Sequence, residues 1–346
     1  MSQIYANACL TLSATWATNP HQGCFVIPDK RYASQTRNFT NSYNKLYKLH
    51  CHEILPQLSI PLQQRGWVFQ ERLLSRRIVH FMEQELWWEC RESFTCECGN
   101  HDNKTLGINK YWEANPRKLS FPKSIQGQWE SMVQTYQMKS LTYPSDIFPA
   151  LQGLAKLVPL SMGRYLAGHW ETTLARSLCW WVNKASRRYP TEWRAPSWSW
   201  AAAQGPVRWP RNVGYMYNTS MHSTVLSAMT TPKGDDPMGQ ISYGAIVLRG
   251  KHLVGRIRKV HELVDYYQID LVGSRHYAVW DSLNLRDGLQ VAALIIYEAF
   301  DRSGVEQYWL VLRAVKGRKD EYMRVGLLRA RSVGKENAVE KEFKIV

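Results

Sequence analysis

The sequence predicts an α+β protein with a mixed N-terminal part, a helical middle and a β-rich C-terminal region. Three observations support this class. The 346 residues are 45% hydrophobic and 21% charged, which is typical of a globular chain with a sizeable core. Apolar residues recur at helical spacing in the middle of the chain, and short β-branched or aromatic runs follow. We therefore expect three parts, at residues 1–99, 100–190 and 191–346.

The N-terminal part is predicted to contain a strand, a helix and a β-hairpin, at residues 8–14, 65–74 and 78–89 respectively. Leu10, Leu12 and Ala14 alternate with polar residues, as in a strand with one buried face. The hairpin follows from two short apolar segments separated by a polar turn. Residues 29–60 are polar and irregular, so we expect an inserted loop or an edge hairpin there.

The middle part carries three amphipathic stripes that predict helices, over residues 129–136, 148–158 and 170–181. Asp146 is expected to cap the second helix, since aspartate accepts hydrogen bonds from the first turn. Pro149 would then occupy the third helical position, where its missing N–H is not needed.

The C-terminal part is predicted to form strands that pair in antiparallel fashion. Its apolar runs are short, rich in β-branched and aromatic residues, and separated by turn residues. The four clearest are Ile246 to Leu248, Leu289 to Tyr297, Tyr308 to Ala314 and Val325 to Leu328.

The chain is basic, with 44 Lys and Arg against 29 Asp and Glu and a net charge of +15. Such an excess can serve nucleic-acid binding, and that function stays open as an alternative. The longest unbroken basic runs are pairs, so a scattered solvated surface is the favoured interpretation and nucleic acid is not the expected partner.

Cysteine usage and hydropathy indicate a cytoplasmic protein. Seven cysteines are an odd number without disulfide-dense spacing, which favours a reducing compartment. No apolar run reaches the 18 or so residues of a transmembrane helix, and no basic residue precedes Lys30 as in a signal peptide. Fifteen Trp exceed nine Phe, which predicts an aromatic core rather than a ligand cage.

Several separated motifs resemble, in order, the fungal heterokaryon-incompatibility (HET) domain and the sequence that follows it. They are Tyr5-Ala6-Asn7-Ala8, Arg65-Gly66-Trp67-Val68-Phe69-Gln70-Glu71, Trp88-Glu89-Cys90, Asp146 with Gly153-Leu154-Ala155, Trp170, and Pro196-Ser197-Trp198-Ser199-Trp200. The family's usual opening, an aromatic strand ending in Trp-Gly and then a Trp-Ile-Asp strand, has no counterpart before Ile4. We therefore expect about the last half of a HET module, truncated at its N-terminal side, and a full C-terminal extension.

The resemblance implies self/non-self recognition and programmed cell-death signalling through protein partners, namely other HET proteins or sensor proteins. It also implies a partial fold like that of Toll/interleukin-1-receptor domains, some relatives of which hydrolyse NAD. An NAD-consuming hydrolase is therefore the first alternative function, and no cofactor of the chain's own is expected.

Glu71 is the candidate catalytic carboxylate for that alternative, because glycosidic-bond hydrolysis needs a carboxylate and usually a second group. It lies one helical turn after Trp67 and beside Arg72, so a structural ion pair or cap is the favoured role. Ser197 and Ser199 lie between tryptophans and are expected to satisfy backbone or indole groups in a packed turn.

A cysteine cluster offers a possible metal site. Cys90, Cys96, Cys98 and His101 have zinc-ligand chemistry, but their spacing does not match paired C-x2-4-C knuckles. Reduced thiols packed beside Trp87 and Trp88 are therefore the favoured interpretation, and zinc is the alternative.

Overall fold

A computed structural model describes residues 1–25, 35–40, 42–51, 60–97, 125–183, 192–210, 218–261, 266–282, 284–301, 304–331 and 333–346. The chain divides into two compact units. Unit 1 comprises Met1–Lys118 with Lys139–Leu141, and unit 2 comprises Leu119–Met138 with Thr142–Val346. Most of the expected middle part thus shares one unit with the C-terminal part. No helix among the described residues is long and apolar enough to cross a membrane.

Unit 1 combines two helices with a small sheet and a separate hairpin. The helices are α1 (Ser2–Asn7) and α2 (Gly66–Leu74), and a 3₁₀ turn at Pro61–Gln64 precedes α2. The strands are β1 (Thr11–Ser13), β2 (Gln35–Thr40), β3 (Leu46–Cys51), β4 (Arg77–Phe81), β5 (Leu86–Cys90) and β6 (Phe94–Cys96). The sheet order is β1-β4-β5-β6, in which β1 runs parallel to β4 and the other pairs are antiparallel.

The predictions for unit 1 are largely confirmed. Helix α2 and the β4–β5 hairpin lie where the apolar spacing placed them, and β2 and β3 form a hairpin inside residues 29–60. The first strand is shorter than predicted. Gly66 begins α2 because its N–H donates to the Ser140 carbonyl at 2.7 Å, and a Cβ there would lie 2.4 Å from Leu141.

Unit 2 begins with short helices and two-stranded ladders. The helices are α3 (Ile125–Tyr136), α4 (Pro149–Ala155) and α5 (Leu174–Ser177). The ladders pair β7 (Tyr165–Leu166) with β8 (His169–Trp170), and β9 (Trp181–Val182) with β10 (Val207–Arg208). Helix α3 confirms the first predicted stripe, and its apolar face is buried.

The predicted cap of the second helix is wrong. Asp146 lies in a 3₁₀ turn at Pro144–Ile147, and Phe148 precedes α4 without a side-chain cap. Pro149 is therefore the first helical residue, a position where proline's fixed φ suits the helix and its missing N–H costs nothing.

The third predicted helix is much shorter than expected, since within residues 170–181 a 3₁₀ turn at Glu171–Thr173 leads into the single turn α5. Trp170 pairs with Tyr165 across a tight turn in which Ala167 and Gly168 have positive φ, and Trp181 pairs with Arg208. In these pairings the backbone N–H and C=O groups of the two tryptophans bond to neighbouring strands and not within a helix. The helical spacing of the apolar residues therefore reflects their burial, not a helix.

The C-terminal part is β-rich, as predicted. Its strands are β11 (Asn218–Met221), β12 (Ser223–Pro232), β13 (Ile241–His261), β14 (Tyr266–Leu271), β15 (Ser274–Trp280), β16 (Gln290–Asp301), β17 (Gly304–Ala314), β18 (Glu321–Ala330) and β19 (Val339–Ile345). Antiparallel pairing dominates, and only the short β18–β19 contact is parallel.

The strand pairings of unit 2 form a closed ring. The order β13-β14-β15-β18-β17-β16 returns to β13, because β13 pairs with β16 through residues 252–256. Strand β13 is 21 residues long and also pairs with β12 and β19. The apolar cluster of these strands includes Ile257, Ile269, Trp280, Trp309 and Val311.

Tryptophans fill the cores, as the composition predicted. Among the residues that the structure describes, seven Trp side chains are fully buried, at positions 87, 129, 170, 180, 198, 200 and 309. Their N–H groups explain part of the packing, since a buried indole N–H needs an acceptor. The indoles of Trp129 and Trp200 both donate to the Gly168 carbonyl, at 2.8 and 2.9 Å.

Candidate functional site

A small polar cavity in unit 1 contains the candidate carboxylate Glu71. The cavity has a volume of about 90 Å³ and lies among α1, β1, the turn before α2, α2 itself and β4. The polar side chains that line it are Tyr5, Thr11, Ser13, Gln63, Glu71, Arg72 and His80. Residues far apart in the sequence therefore meet here.

Glu71 faces Tyr5 within this cavity. The Tyr5 hydroxyl donates a hydrogen bond to the Glu71 side chain, and burial together with the Glu71 charge raises the pKa of Tyr5 to about 12. At the end of α2, the Ser75 N–H and hydroxyl both donate to the Glu71 carbonyl, at 3.1 and 2.8 Å. Glu71 on α2 therefore interacts with Tyr5 on α1.

A second carboxylate, Glu89, is held by two basic groups. Arg72 Nε donates to Glu89 Oε2 at 2.7 Å, and His80 Nε2 lies 2.8 Å from the same oxygen. Arg72 Nη1 also donates to Gln63 Oε1 at 2.7 Å. Arg72 and Glu89 keep only 8% and 13% of their side-chain surface exposed, so this is a nearly buried ion pair. Such a pair holds its helix and hairpin in one arrangement, because separating it strands a charge.

The other nitrogen of His80 extends the network to hydroxyl groups. His80 Nδ1 lies 2.9 Å from Thr15 Oγ1, which lies 2.8 Å from Ser13 Oγ. A hydroxyl, an imidazole and a carboxylate in series are also the parts of a nucleophilic triad. Thr15 is completely buried, so its hydroxyl cannot meet a substrate. The series therefore serves to orient His80 and to satisfy buried polar groups.

The charge of Glu89 makes unit 1 sensitive to acid. Burial alone would raise the pKa of Glu89, but Arg72 and His80 together lower it from 4.5 to about 2. Because the folded-state pKa is the lower one, the carboxylate contributes its full stability above about pH 4.5. That contribution, about 3 kcal/mol by linkage, is lost as the pH falls from there toward 2.

We expect Glu89→Gln to remove this part of the acid sensitivity and to destabilise unit 1 at pH 7 by about 3 kcal/mol, since it leaves Arg72 buried without a counter-charge. The free energy of unfolding of wild type and variant, measured between pH 7 and pH 2.5, tests this. Glu83→Gln is the control, because Glu83 is exposed on the turn of the same hairpin. A wild-type minus variant difference that does not shrink on acidification would contradict the expectation.

No known protein family, curated protein or solved structure matches this chain. The chemistry of the site therefore follows from its own residues.

The cysteines of the possible zinc site are described only in part, because Cys98 and His101 lie outside the described residues. Cys96 is buried and packs with Met82, Trp87 and Phe94. The Cys90 thiol lies 3.4 Å from the Ser93 hydroxyl. Among the described residues, no three metal-ligating side chains come together.

The other residues of the HET-like motifs pack in the cores or form hydrogen bonds within their own unit, apart from a few that are exposed. Asn7 and Arg65 are exposed, whereas Ala8, Trp67 and Trp88 are partly buried and Gln70 is buried in unit 1. In unit 2, Gly153, Leu154, Ala155, Trp170 and Pro196 are buried. The Ser199 hydroxyl donates to the Ala167 carbonyl at 2.6 Å, and the Ser197 hydroxyl donates to the Val346 carbonyl. The backbone role predicted for both serines is thus confirmed.

The residues that the sequence did not single out are His80, Thr15 and Gln63. A signal for His80 was present, because His80 and Glu89 lie on one face of the predicted hairpin. In the observed register Ile78 faces Glu89 and His80 faces Trp87, so His80 and Glu89 are diagonal neighbours. Thr15 and Gln63 carried no such signal. Thr15 reaches His80 because β1 pairs with β4, and Gln63 reaches Arg72 because the 3₁₀ turn lies against α2.

Proposed function

We propose that this chain acts in heterokaryon-incompatibility-type self/non-self recognition and programmed cell-death signalling in the cytoplasm, through contacts with protein partners. The supporting observation is that three separated motif segments meet at one place. Tyr5 and Glu71 line the cavity together with Arg72 and His80, and these two basic side chains bind Glu89. On this proposal unit 1 is the remaining part of a module like a Toll/interleukin-1-receptor domain.

The shape of the cavity favours contact signalling over hydrolysis of a dinucleotide. A volume of about 90 Å³ is well below the roughly 300 to 1,000 Å³ of small-molecule sites. The second carboxylate of the cluster, Glu89, is bound by Arg72 and His80 and does not face an open sugar-binding space. Glu71 therefore contributes to the arrangement of a surface rather than to bond cleavage.

The proposal is tested by inducing the full chain in a filamentous fungal host and measuring viability and cellular NAD, with protein level checked by blot. We expect death at moderate expression while NAD per living cell stays constant. Glu71→Gln should leave killing within about twofold of wild type, because the amide can still accept from Tyr5. Arg72→Met should abolish killing, because it disconnects Glu89 from α2.

Arg76→Met is the matched control for Arg72→Met, since Arg76 is exposed just after the same helix. Survival of the host with abundant wild-type protein would contradict the signalling role. A fall in NAD that Glu71→Gln prevents would replace the proposal with the NAD-hydrolase alternative.

A further inference from the structure

Unit 2 contains a much larger cavity, of about 730 Å³, which belongs to no site described above. It lies between the segment that carries Trp193 and Ser197, strand β13 at Tyr243, and strand β18 at Met323. Its volume is within the range of small-molecule sites in proteins, roughly 300 to 1,000 Å³. The cavity therefore has room for a ligand of drug-like size.

The floor of the cavity is a fixed and fully buried arginine. Arg324 Nη1 donates to the Leu178 carbonyl at 2.6 Å, and Nη2 donates to the Trp180 carbonyl and to Asp281 Oδ1, the latter at 3.2 Å. The guanidinium also lies 3.3 Å from the centre of the Trp180 ring. With its charge paired to Asp281 and both Nη atoms donating hydrogen bonds, Arg324 holds the floor in one conformation before any ligand arrives.

The walls are largely aromatic and aliphatic. Trp193 lines the cavity with 55% of its surface exposed, although the other Trp side chains of this unit that the structure describes are buried or partly buried. Tyr243, Met323 and Val315 line it as well. An exposed indole beside a methionine offers a flat, polarisable surface on which a planar ring can pack.

Two further arginines, Arg194 and Arg318, line the cavity, and so does one further carboxylate, Glu192. Arg194 donates from Nε to the Ala201 carbonyl and from Nη2 to the Ala203 carbonyl, both at 2.6 Å. Both partners are neutral carbonyl groups, and they use only two of the five N–H donors of Arg194. Among the described residues no carboxylate pairs with Arg194. Arg318 lies at the mouth with 62% of its side chain exposed and makes a single contact to Glu321, at 3.2 Å.

The balance of charge indicates what the cavity would accept. Arg324 is neutralised by Asp281 and Arg318 is partly neutralised by Glu321. Glu192 also lines the cavity, but among the described residues no ion pair joins it to the half-buried Arg194. A partly desolvated cation without a counter-ion attracts an anion more strongly than one in water. The apolar walls at the same time disfavour a small hydrated anion such as phosphate.

We propose that this cavity binds a planar aromatic molecule with one anionic group, its ring against Trp193 and Met323 and its anion at Arg194 and Arg318. The inference is independent of the signalling role of unit 1. In the ligand-bound form the anion replaces water around the unpaired donors of Arg194, and the ring covers the exposed indole of Trp193.

The test uses the full chain and the probe 8-anilinonaphthalene-1-sulfonate. Binding is measured by fluorescence and by titration calorimetry, below the melting temperature of the protein. We expect one dye molecule per chain and much weaker binding of the uncharged analogue N-phenyl-1-naphthylamine. Ala202→Trp fills the cavity wall and should abolish binding of the dye. Arg318→Glu should weaken it about tenfold, since the charge at the mouth is reversed.

Arg275→Glu is the matched control for the charge reversal, because Arg275 is a similarly exposed arginine that pairs with Asp270 in the same unit. It should change the dye's Kd less than twofold. Thermal unfolding of each variant shows that it is folded. Absence of dye binding in wild type, a stoichiometry above one, or equal binding by wild type and a folded Ala202→Trp would overturn the proposal. Equal affinity for the charged and uncharged probes would also overturn it.

Discussion

Arg324→Met is expected to lower the free energy of unfolding of unit 2 by about 4 kcal/mol, the largest effect of any single change that preserves side-chain volume. The substitution leaves the Asp281 carboxylate nearly buried without its cation and removes the donors to the Leu178 and Trp180 carbonyls. A buried unpaired charge and two unsatisfied carbonyls each carry a desolvation cost. Urea unfolding followed by tryptophan fluorescence and circular dichroism measures the change.

A second substitution distinguishes the cost of the unpaired Asp281 charge from a loss of packing. Asp281→Asn in the Arg324→Met background removes the stranded charge and should recover about 2 kcal/mol, whereas in wild type it should destabilise. Arg249→Met is the control on the same sheet, because Arg249 pairs with Glu342 with half of each side chain exposed. It should cost less than about 1 kcal/mol. A cost below this value for Arg324→Met itself would contradict the assigned role.

Gly168→Ala is expected to destabilise unit 2 by a similar amount, about 4 kcal/mol. Gly168 has a φ of +90°, which an L-residue adopts only with strain, and a Cβ would lie 2.3 Å from the Trp200 indole nitrogen. The displaced indole would also lose its bond to the Gly168 carbonyl. Backbone strain, overpacking and a lost buried hydrogen bond therefore add together.

Gly273→Ala is a matched control that isolates the backbone term. Gly273 has a φ of +77°, but nothing lies within 4 Å of the position its Cβ would take. We expect this substitution to cost about 1 kcal/mol, from the positive φ alone. If both variants melt at the same temperature, the contact with Trp200 is not what requires glycine at 168.

Local patterns were sufficient to predict much of unit 1. Helix α2 and the β4–β5 hairpin follow from spacings of three to five residues, and the sequence carries the turn signals that separate them. Glu71 was nominated instead from the family resemblance, as the carboxylate of the NAD-hydrolase alternative, and in the structure it interacts with Tyr5.

Long-range pairing explains what could not be predicted. Trp170 and Trp181 have helical spacing, but their strands take partners that the spacing does not reveal. The cavity of unit 2 is of the same kind, because its floor joins Arg324 to carbonyls at Leu178 and Trp180. These hydrogen bonds join residues more than 140 positions apart in the sequence, whereas periodicity reports only on near neighbours. The burial of tryptophan could be predicted from composition, whereas the exposure of Trp193 could not.

The closed ring of strands has a consequence for how unit 2 folds. Strand β13 pairs with β19, so Ile246 meets Ile345, which lies 99 residues further along the chain. Such pairings make the contact order high, and chains of high contact order fold slowly because the loop must close before the contacts stabilise it. The centre of β13 has a partner strand on each side. Its amide protons should therefore exchange with solvent only when the whole ring opens. Unit 2 should accordingly unfold as one cooperative block, and hydrogen exchange in β13 should report its global stability.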